Sequence, residues 1–352
     1  MIDDKDGLIT WRAHATKQSQ GRMVLDLEAD SLHRYSESIC LIQYADDSMS
    51  TLIDPLAIED ITPFTQWLSQ STIWMHGADY DMTLMLKKWN LLPEMILDTQ
   101  TAARLLGFRQ FGLAALIKHY YDIEVSKAAQ KADWAKRPLP ENMLNYALSD
   151  VHYILGMADQ LVAGLQEKGR HHWFTEICEH SMERARQRNA TPNEDPWRIQ
   201  GSGRLTRKGL AALKILWTWR DGEAKIWDKP TFMVCSNADL IQWANAFQES
   251  KPLVPSHRFH NQRKKRFNEV IQQLYLIDED EYPKKFFTPR KPHSDLFEEK
   301  LERLGERRNE RAEILGIEPS FLITRASLEA IAENEEEGLG QLLNWQREAL
   351  QF

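Results

Sequence analysis

Cysteine is scarce in this 352-residue chain, and the three present do not cluster: Cys40, Cys178 and Cys235 lie far apart without CxxC spacing. That pattern argues against a disulfide framework and a thiolate zinc site, and it fits a reducing cytoplasm. Long apolar runs are missing too. No stretch reaches the ~18 residues a bilayer span requires, so no membrane partner is expected. The opening Met1-Ile2-Asp3-Asp4-Lys5-Asp6 is acidic and lacks the apolar core of a signal peptide. No His/Cys cluster competes for zinc, and there is neither a Walker A loop nor a G-x-S-x-G elbow, so no small-molecule cofactor is expected. What is present is ordinary for a globular protein: 42% apolar and 27% charged residues, which excludes a wholly disordered chain. At about 150 residues per domain, two or three domains are expected.

Charge is unevenly spread. The formal net charge is −8, but residues 1–150 carry −7, 151–250 carry +1, 251–292 carry +5 and 293–352 carry −7. An acidic first half, a basic middle and an acidic tail point to separate functional parts, and the global sign alone excludes no nucleic-acid partner.

Short β-prone runs appear at Met23–Glu28, Ile39–Tyr44, Ser50–Ile53 and Thr72–His76, the second and third separated by the turn-like Asp46-Asp47. Helical periodicity follows at 61–70, 80–90, 99–107, 112–120 and 141–165. Strands in a meander, then helices interleaved with a strand, predict a mixed sheet covered by helices. Beyond residue 165 strand signal nearly vanishes. Asn189–Pro196 reads as a linker, and the helical half beyond it repeats itself. Pro230 and Phe232 recur as Pro319 and Phe321, 89 residues on, and Ala238 and Leu240 recur as Ala326 and Leu328. Arg220 and Ala224 correspond to Arg308 and Ala312, one residue out of the register of the Pro and Phe pairs. Two related helical modules, joined through the Pro- and Lys-rich stretch 283–292, are expected.

The chemistry concentrates in carboxylates. Asp26 and Glu28 stand at i and i+2 of a strand, so both project from one face of the sheet. Acids in an otherwise apolar strand need positive partners or metals. A pair of exposed edge acids answered by Arg or Lys is the ordinary alternative. Asp81 falls near the start of an amphipathic helix, where a carboxylate is favoured, with Asp79 expected as the cap. Tyr146 and Asp150, at i and i+4, share a helix face. Four such carboxylates meeting at the end of a sheet would repel one another without cations, but they match the oxygen ligands preferred by Mg²⁺ or Mn²⁺. Two such ions can activate a water and stabilise the leaving oxygen in phosphodiester hydrolysis.

Leu25-Asp26-Leu27-Glu28, His76-Gly77-Ala78-Asp79-Tyr80-Asp81 and Tyr146-Ala147-Leu148-Ser149-Asp150 resemble the three exonuclease motifs of the DEDD superfamily. The Tyr four places before the last Asp marks its DEDDy branch; the sister branch has His five places before, where this chain has Asn145. The surrounding text is similar to the ribonuclease D family: Leu41-Ile42-Gln43, Asp98-Thr99-Gln100, Asp133-Trp134 and Arg137-Pro138-Leu139. The match covers roughly residues 8–165. The resemblance implies a ribonuclease H-like fold with a five-stranded mixed sheet and flanking helices. It also implies two divalent metal ions (Mg²⁺ or Mn²⁺) held by Asp26, Glu28, Asp81 and Asp150, and Tyr146 positioning the attacking water.

Leu213–Ala224, continuing to Asp228-Lys229-Pro230, resembles the HRDC module that follows the nuclease in that family. The expected organisation is therefore an exonuclease domain with its helical connector over 1–190, an HRDC domain over 200–285, and a second, divergent HRDC-like bundle over 293–352. Arg258, Arg263, Lys264, Lys265 and Arg266 form the candidate phosphate-neutralising surface, with His76 added from the nuclease motif. A solvated helix face is the bland reading of that run. Phe259, Phe267, Trp217 and Trp219 are expected in the core. The implied activity is 3′→5′ hydrolysis of single-stranded RNA 3′ ends, tRNA precursors among them, by a cytoplasmic monomer. A DNA exonuclease on the same fold and a non-catalytic RNA-binding scaffold are the rival readings.

Overall fold

Five strands make one mixed sheet: β1 (Met23–Ala29), β2 (Ile39–Asp46), β3 (Ser50–Ile53), β4 (Thr72–Met75) and β5 (Met95–Asp98), in spatial order β3-β2-β1-β4-β5. The first three form the expected antiparallel meander, and β4 and β5 run parallel to β1. β5, four residues long, is the one strand of the five that the β-prone runs do not place. The structure, a computed structural model, describes residues 1–17, 22–126, 129–191, 193–285 and 294–352.

Strand pleating decides what each face carries. Met23, Leu25 and Leu27 of β1 enter an apolar layer with Leu8, Trp11, Phe64 and Met85. Val24 enters the opposite layer, with Trp74, Leu161 and Phe174. Asp26 and Glu28 lie on Val24's face, toward the strand's C-terminal end. The segment before β1 is itself ordered: α1 (Lys5–Lys17) buries Leu8, Trp11 and Ala15. The Trp11 ring sits 5.1 Å from Tyr44 and 4.8 Å from Trp67 of α2 (Thr62–Leu68).

Helices α3 (Asp79–Trp89), α4 (Thr99–Leu106) and α5 (Leu113–Tyr121) fall where periodicity put them. The single helix expected over 141–165 is instead two, α6 (Glu141–His152) and α7 (Ile154–Glu167). The chain turns at Tyr153, whose carbonyl accepts from the Tyr121 hydroxyl at 3.1 Å. Helix α6 is seated from below. Arg137 grips buried Asp54 through Nε (2.5 Å) and Nη2 (2.7 Å), and Nη2 also reaches the Cys40 carbonyl at 2.7 Å. Trp134 and Leu139 then pack with Cys40, Leu41 and Leu52 beneath Met143 and Ala147 of α6.

The chain divides into two compact units. Unit one comprises Met1–Ala29, Ser38–Thr191 and Lys291–Phe352; unit two comprises Asp30–Glu37 and Pro192–Arg290. In unit one α8 (His171–Ala190) meets the last helices: α13 (Asp295–Leu315), α14 (Pro319–Leu322), α15 (Arg325–Glu333), α16 (Glu335–Gly340) and α17 (Asn344–Leu350). Their apolar residues Ala312, Ile317, Leu322 and Leu328 share one core with Trp74, Leu161 and Phe174. Polar clamps reinforce the contact. Buried Arg170 donates to the Leu105 carbonyl (2.6 Å) and the Leu315 carbonyl (2.7 Å), satisfying the ends of α4 and α13. Glu176 of α8 accepts the Asn344 and Trp345 amides, each at 2.8 Å, at the start of α17. At the end of α4, Gly107 has φ +97°, and a Cβ there would lie 2.3 Å from the Gly316 carbonyl, so only glycine fits.

Unit two is built from α9 (Arg207–Trp227), α10 (Thr231–Val234), α11 (Asn237–Gln248) and α12 (Asn261–Leu274). Trp219, Trp243, Phe259 and Phe267 form its aromatic centre, with Trp217 partly buried against it. The internal repeat has a structural counterpart. The N-caps Thr206 and Ser294, the left-handed caps Asp228 and Gly316, and the N-caps Ser236 and Thr324 are each 88 residues apart. In that register Ala224, Leu240 and Ala244 match Ala312, Leu328 and Ala332, all buried. The Pro and Phe matches at 89 are one residue out of phase. Most of the stretch 283–292 lies outside the described residues.

Candidate active site

Three elements bring the five motif residues to one cleft of about 550 Å³, lined by Asp26, Glu28, His76, Asp81, Tyr146 and Asp150 together with Gly112, Leu113 and Gln130. β1 supplies Asp26 and Glu28, the first turn of α3 supplies Asp81, and one face of α6 supplies Tyr146 and Asp150. One carboxylate oxygen each from Asp26, Glu28 and Asp150 lie within 4.8 Å of one another. Asp81 completes the wall and raises the pKa of Glu28 through its charge.

Burial dominates the electrostatics. It raises Glu28 to about 9, helped by the charges of Asp26, Asp150 and Asp81. Asp150 rises to about 7 through burial and Asp26, and Asp26 to about 6 through burial. Asp81 is raised by the same two causes, burial first. Among the described residues no Lys or Arg forms an ion pair with any of the four. Four carboxylates crowded out of water without a basic partner form an all-oxygen donor set, which suits a hard divalent cation. Tyr146 is hydrogen-bonded to Asp150, and burial followed by the Asp150 charge pushes its phenol above the usual range, so it stays protonated at neutral pH.

The surroundings fix these groups. Gln43, buried in the apolar run of β2, is paired in register with Asp26, and its Nε2 lies 3.4 Å from Asp26 Oδ2. It also hydrogen-bonds Glu28. Reading the motifs assigned Gln43 no role, although a fully buried amide in a run of aliphatic residues is itself a signal. Asp98 accepts from the Gly77 and Gln100 amides at 2.8 Å each, tying the turn before α3 to the start of α4. Gly77, at φ +71°, takes the left-handed conformation that turn needs. Asp79 is not the helix cap: Ala78 holds that position, and exposed Asp79 faces Arg188 at 3.7 Å.

His76 lines the cleft as a neutral ring. Burial lowers it to about 4, and its Nδ1 lies 2.9 Å from Thr99 Oγ1. The basic stretch divides. Arg258 and Lys265 are exposed and Lys264 is half-buried. Arg263 is buried and donates to Glu223 Oε2 at 3.1 Å, and Arg266 grips the same carboxylate through Nε and through Nη2 at 2.8 Å. Those two guanidiniums hold α12 to α9. No helix among the described residues is long and apolar enough to cross a membrane.

An open mixed sheet of this order, with an acidic cleft of this composition at the end of its central strand, is the architecture of a 3′-5′ exonuclease. A family model described as 3′-5′ exonuclease matches residues 1–166. The ribonuclease D of Pseudomonas paraeruginosa is 27% identical over 330 residues, covering 89% of this chain and 84% of that protein. The ribonuclease D of Haemophilus influenzae is 28% identical over 275 residues, 76% of this chain and 69% of its own. The crystal structure of Escherichia coli RNase D superposes with a TM-score of 0.75 at 23% identity, over 100% of this chain and 97% of that one, and so shares the fold. More particularly, then, the chain is a ribonuclease D-like nuclease.

Proposed function

We propose that Asp26, Glu28, Asp81 and Asp150 hold two divalent metal ions, Mg²⁺ or Mn²⁺, and that Tyr146 orients the water attacking the terminal phosphodiester of an RNA chain. The activity is 3′-5′ exoribonucleolytic, and its products are 5′-mononucleotides. When bound, the ions supply activation of water and stabilisation of the leaving oxygen. The chain's own groups do the positioning. Gln43 holds Asp26 and Glu28 in register on β1. Tyr146 keeps its proton, so Oη acts as a hydrogen-bond donor and not as a base. The neutral His76 ring forms part of the cleft wall and offers a hydrogen bond without charge.

One observation carries this reading: four carboxylates, two buried and two half-buried, face one cleft with no basic partner among the described residues. A vestigial domain serving only as an RNA-binding scaffold has no reason to retain that unfavourable cluster. Unpaired RNA 3′ ends, tRNA precursors included, are the proposed substrates of a cytoplasmic monomer. The organisation proposed is a nuclease domain with its connector over 1–190, an HRDC domain over 200–285 and an HRDC-like bundle over 293–352. Arg258, Lys264 and Lys265 remain the proposed phosphate contacts of the basic stretch; Arg263 and Arg266 serve Glu223 first.

The test is gel analysis of 3′- and 5′-labelled RNA with Mg²⁺, Mn²⁺ or EDTA, beside a DNA oligonucleotide of matched sequence. The expected result is immediate loss of the 3′ label as mononucleotide, stepwise shortening of the 5′-labelled strand, and none of either in EDTA. Faster hydrolysis of the DNA strand would transfer the reading to a DNA exonuclease, and no hydrolysis of either would leave the scaffold.

A further inference from the structure

The end of α9 differs from the rest of unit two. Ile226, Trp227, Phe232 and Met233 are large apolar side chains within eight residues of sequence, and they are 71%, 46%, 54% and 41% exposed. Apolar side chains gathered at the surface mark contact sites. Positive charge surrounds them. The Arg263 guanidinium lies 4.7 Å from the centroid of the Trp227 ring. Arg263 and Arg266 both grip the carboxylate of Glu223 behind that ring, and the charge of Glu269 also acts on Arg266. Lys225 is exposed two residues before Trp227, and Lys229 Nζ donates to the His33 carbonyl at 3.0 Å. The nearby acids are engaged: Asp228 lies 3.6 Å from Arg34, and Asp221 accepts from the Tyr35 hydroxyl at 2.9 Å. His33, Arg34 and Tyr35 belong to the loop 30–37, which in the chain directly follows β1 and begins two residues after Glu28.

We propose that this corner is a stacking platform for the unpaired bases of the RNA substrate, with Trp227 and Phe232 as the ring surfaces and Lys225 and Lys229 meeting the phosphates. The inference rests on the exoribonuclease reading and adds to it where the strand is held. Single-stranded RNA presents flat π-faces joined by anions, and aromatic rings interleaved with cations complement both. The centre of a protein-docking face is instead depleted of charge. The phenylalanines of the basic run, Phe259 and Phe267, are buried.

The test uses the full chain carrying Trp227→Ala and Phe232→Ser, together and singly, with thermal melting to verify folding. Hydrolysis is measured on a single-stranded oligonucleotide and on a dinucleotide. Stacking contributes on the order of a tenfold change in affinity per base. The double variant should therefore raise KM for the oligonucleotide about tenfold or more, with kcat and dinucleotide hydrolysis unchanged. Trp227→Tyr, which keeps a ring, should recover most of the affinity. An unchanged KM overturns the proposal. So does an equal loss on the dinucleotide, which would place the effect in the cleft. So does light scattering in which the wild type self-associates and the double variant does not, which would assign the corner to a second copy of the chain. Should the wild type hydrolyse no RNA, retention of the oligonucleotide on a filter by wild type and variant still decides the platform separately from the activity.

Discussion

Both units bury carboxylates, and they resolve the problem in opposite ways. In unit two Glu223 is 2% exposed. Burial would raise its pKa, but hydrogen bonds from Arg266 and Arg263 hold it below the usual range. In unit one Glu28, Asp26, Asp150 and Asp81 are all raised, burial being the largest cause for each. A buried acid with guanidinium partners is a completed piece of structure. A group of buried acids without them is complete only when cations from solution enter, and that incompleteness marks a functional site. The same chemical group, shielded from water in both places, is thus a strut in one unit and a receptor in the other.

Replacing one acid in each place separates the two roles. Asp150→Ala, or Asp26→Ala, should lower hydrolysis by ~10³-fold or more, the scale on which lost transition-state stabilisation acts. Retention of RNA should be largely kept. In EDTA the melting temperature of either variant should stay at or above that of the wild type, because a crowded charge has gone. Undiminished hydrolysis by either purified variant would refute the assignment of the site. Glu223→Gln should do the reverse. It strands Arg263 in the interior and lowers the stability of unit two by about 3 kcal/mol, read by urea unfolding with tryptophan fluorescence. The dinucleotide should be cleaved at the wild-type rate. A variant that melts like the wild type would break the contrast.

The receptor was legible in the amino-acid order and the strut was not, for a geometric reason. Asp26 with Glu28 and Tyr146 with Asp150 are joined by strand and helix spacings, so local periodicity places each pair on one face. Glu223 and its partners Arg263 and Arg266 sit on α9 and α12, forty and more residues apart, and only the packed bundle brings them together. The run Arg263–Arg266 therefore read as one basic surface, when half of it faces inward. Gln43 was hidden similarly, since its partner Asp26 lies across a β-ladder. The meander and most helices of the nuclease were legible from their periods. The break at Tyr153 was not, because the Tyr121 hydroxyl reaches it from another helix. The segment 293–352 carries its own internal pattern, but nothing local in Ala312 or Leu322 says that they face Trp74 and Phe174.

The smallest effect, a difference between two melting shifts, tests the contrast most closely. In the metal-free chain Glu28 releases its proton near pH 9, Asp150 near 7 and Asp26 near 6, against about 4 for ordinary carboxyls in an unfolded chain. Between those limits the folded state holds protons that the unfolded state has lost. Stability without metal therefore falls as pH rises from about 4 toward 9. A divalent cation takes the place of those protons. The melting shift produced by saturating Mn²⁺ should accordingly be larger at pH 8 than at pH 6, by a few degrees. Glu223 has the opposite sign: its folded pKa is lowered, so its contribution is full above the unfolded value and is lost only in acid, well below this window. Glu223→Gln should therefore lower both melting curves and leave the pH dependence of the Mn²⁺ shift intact, while Asp150→Ala should flatten it. A Mn²⁺ shift equal at the two pH values, or one unaffected by Asp150→Ala, would mean that the crowded acids are not where the ion binds.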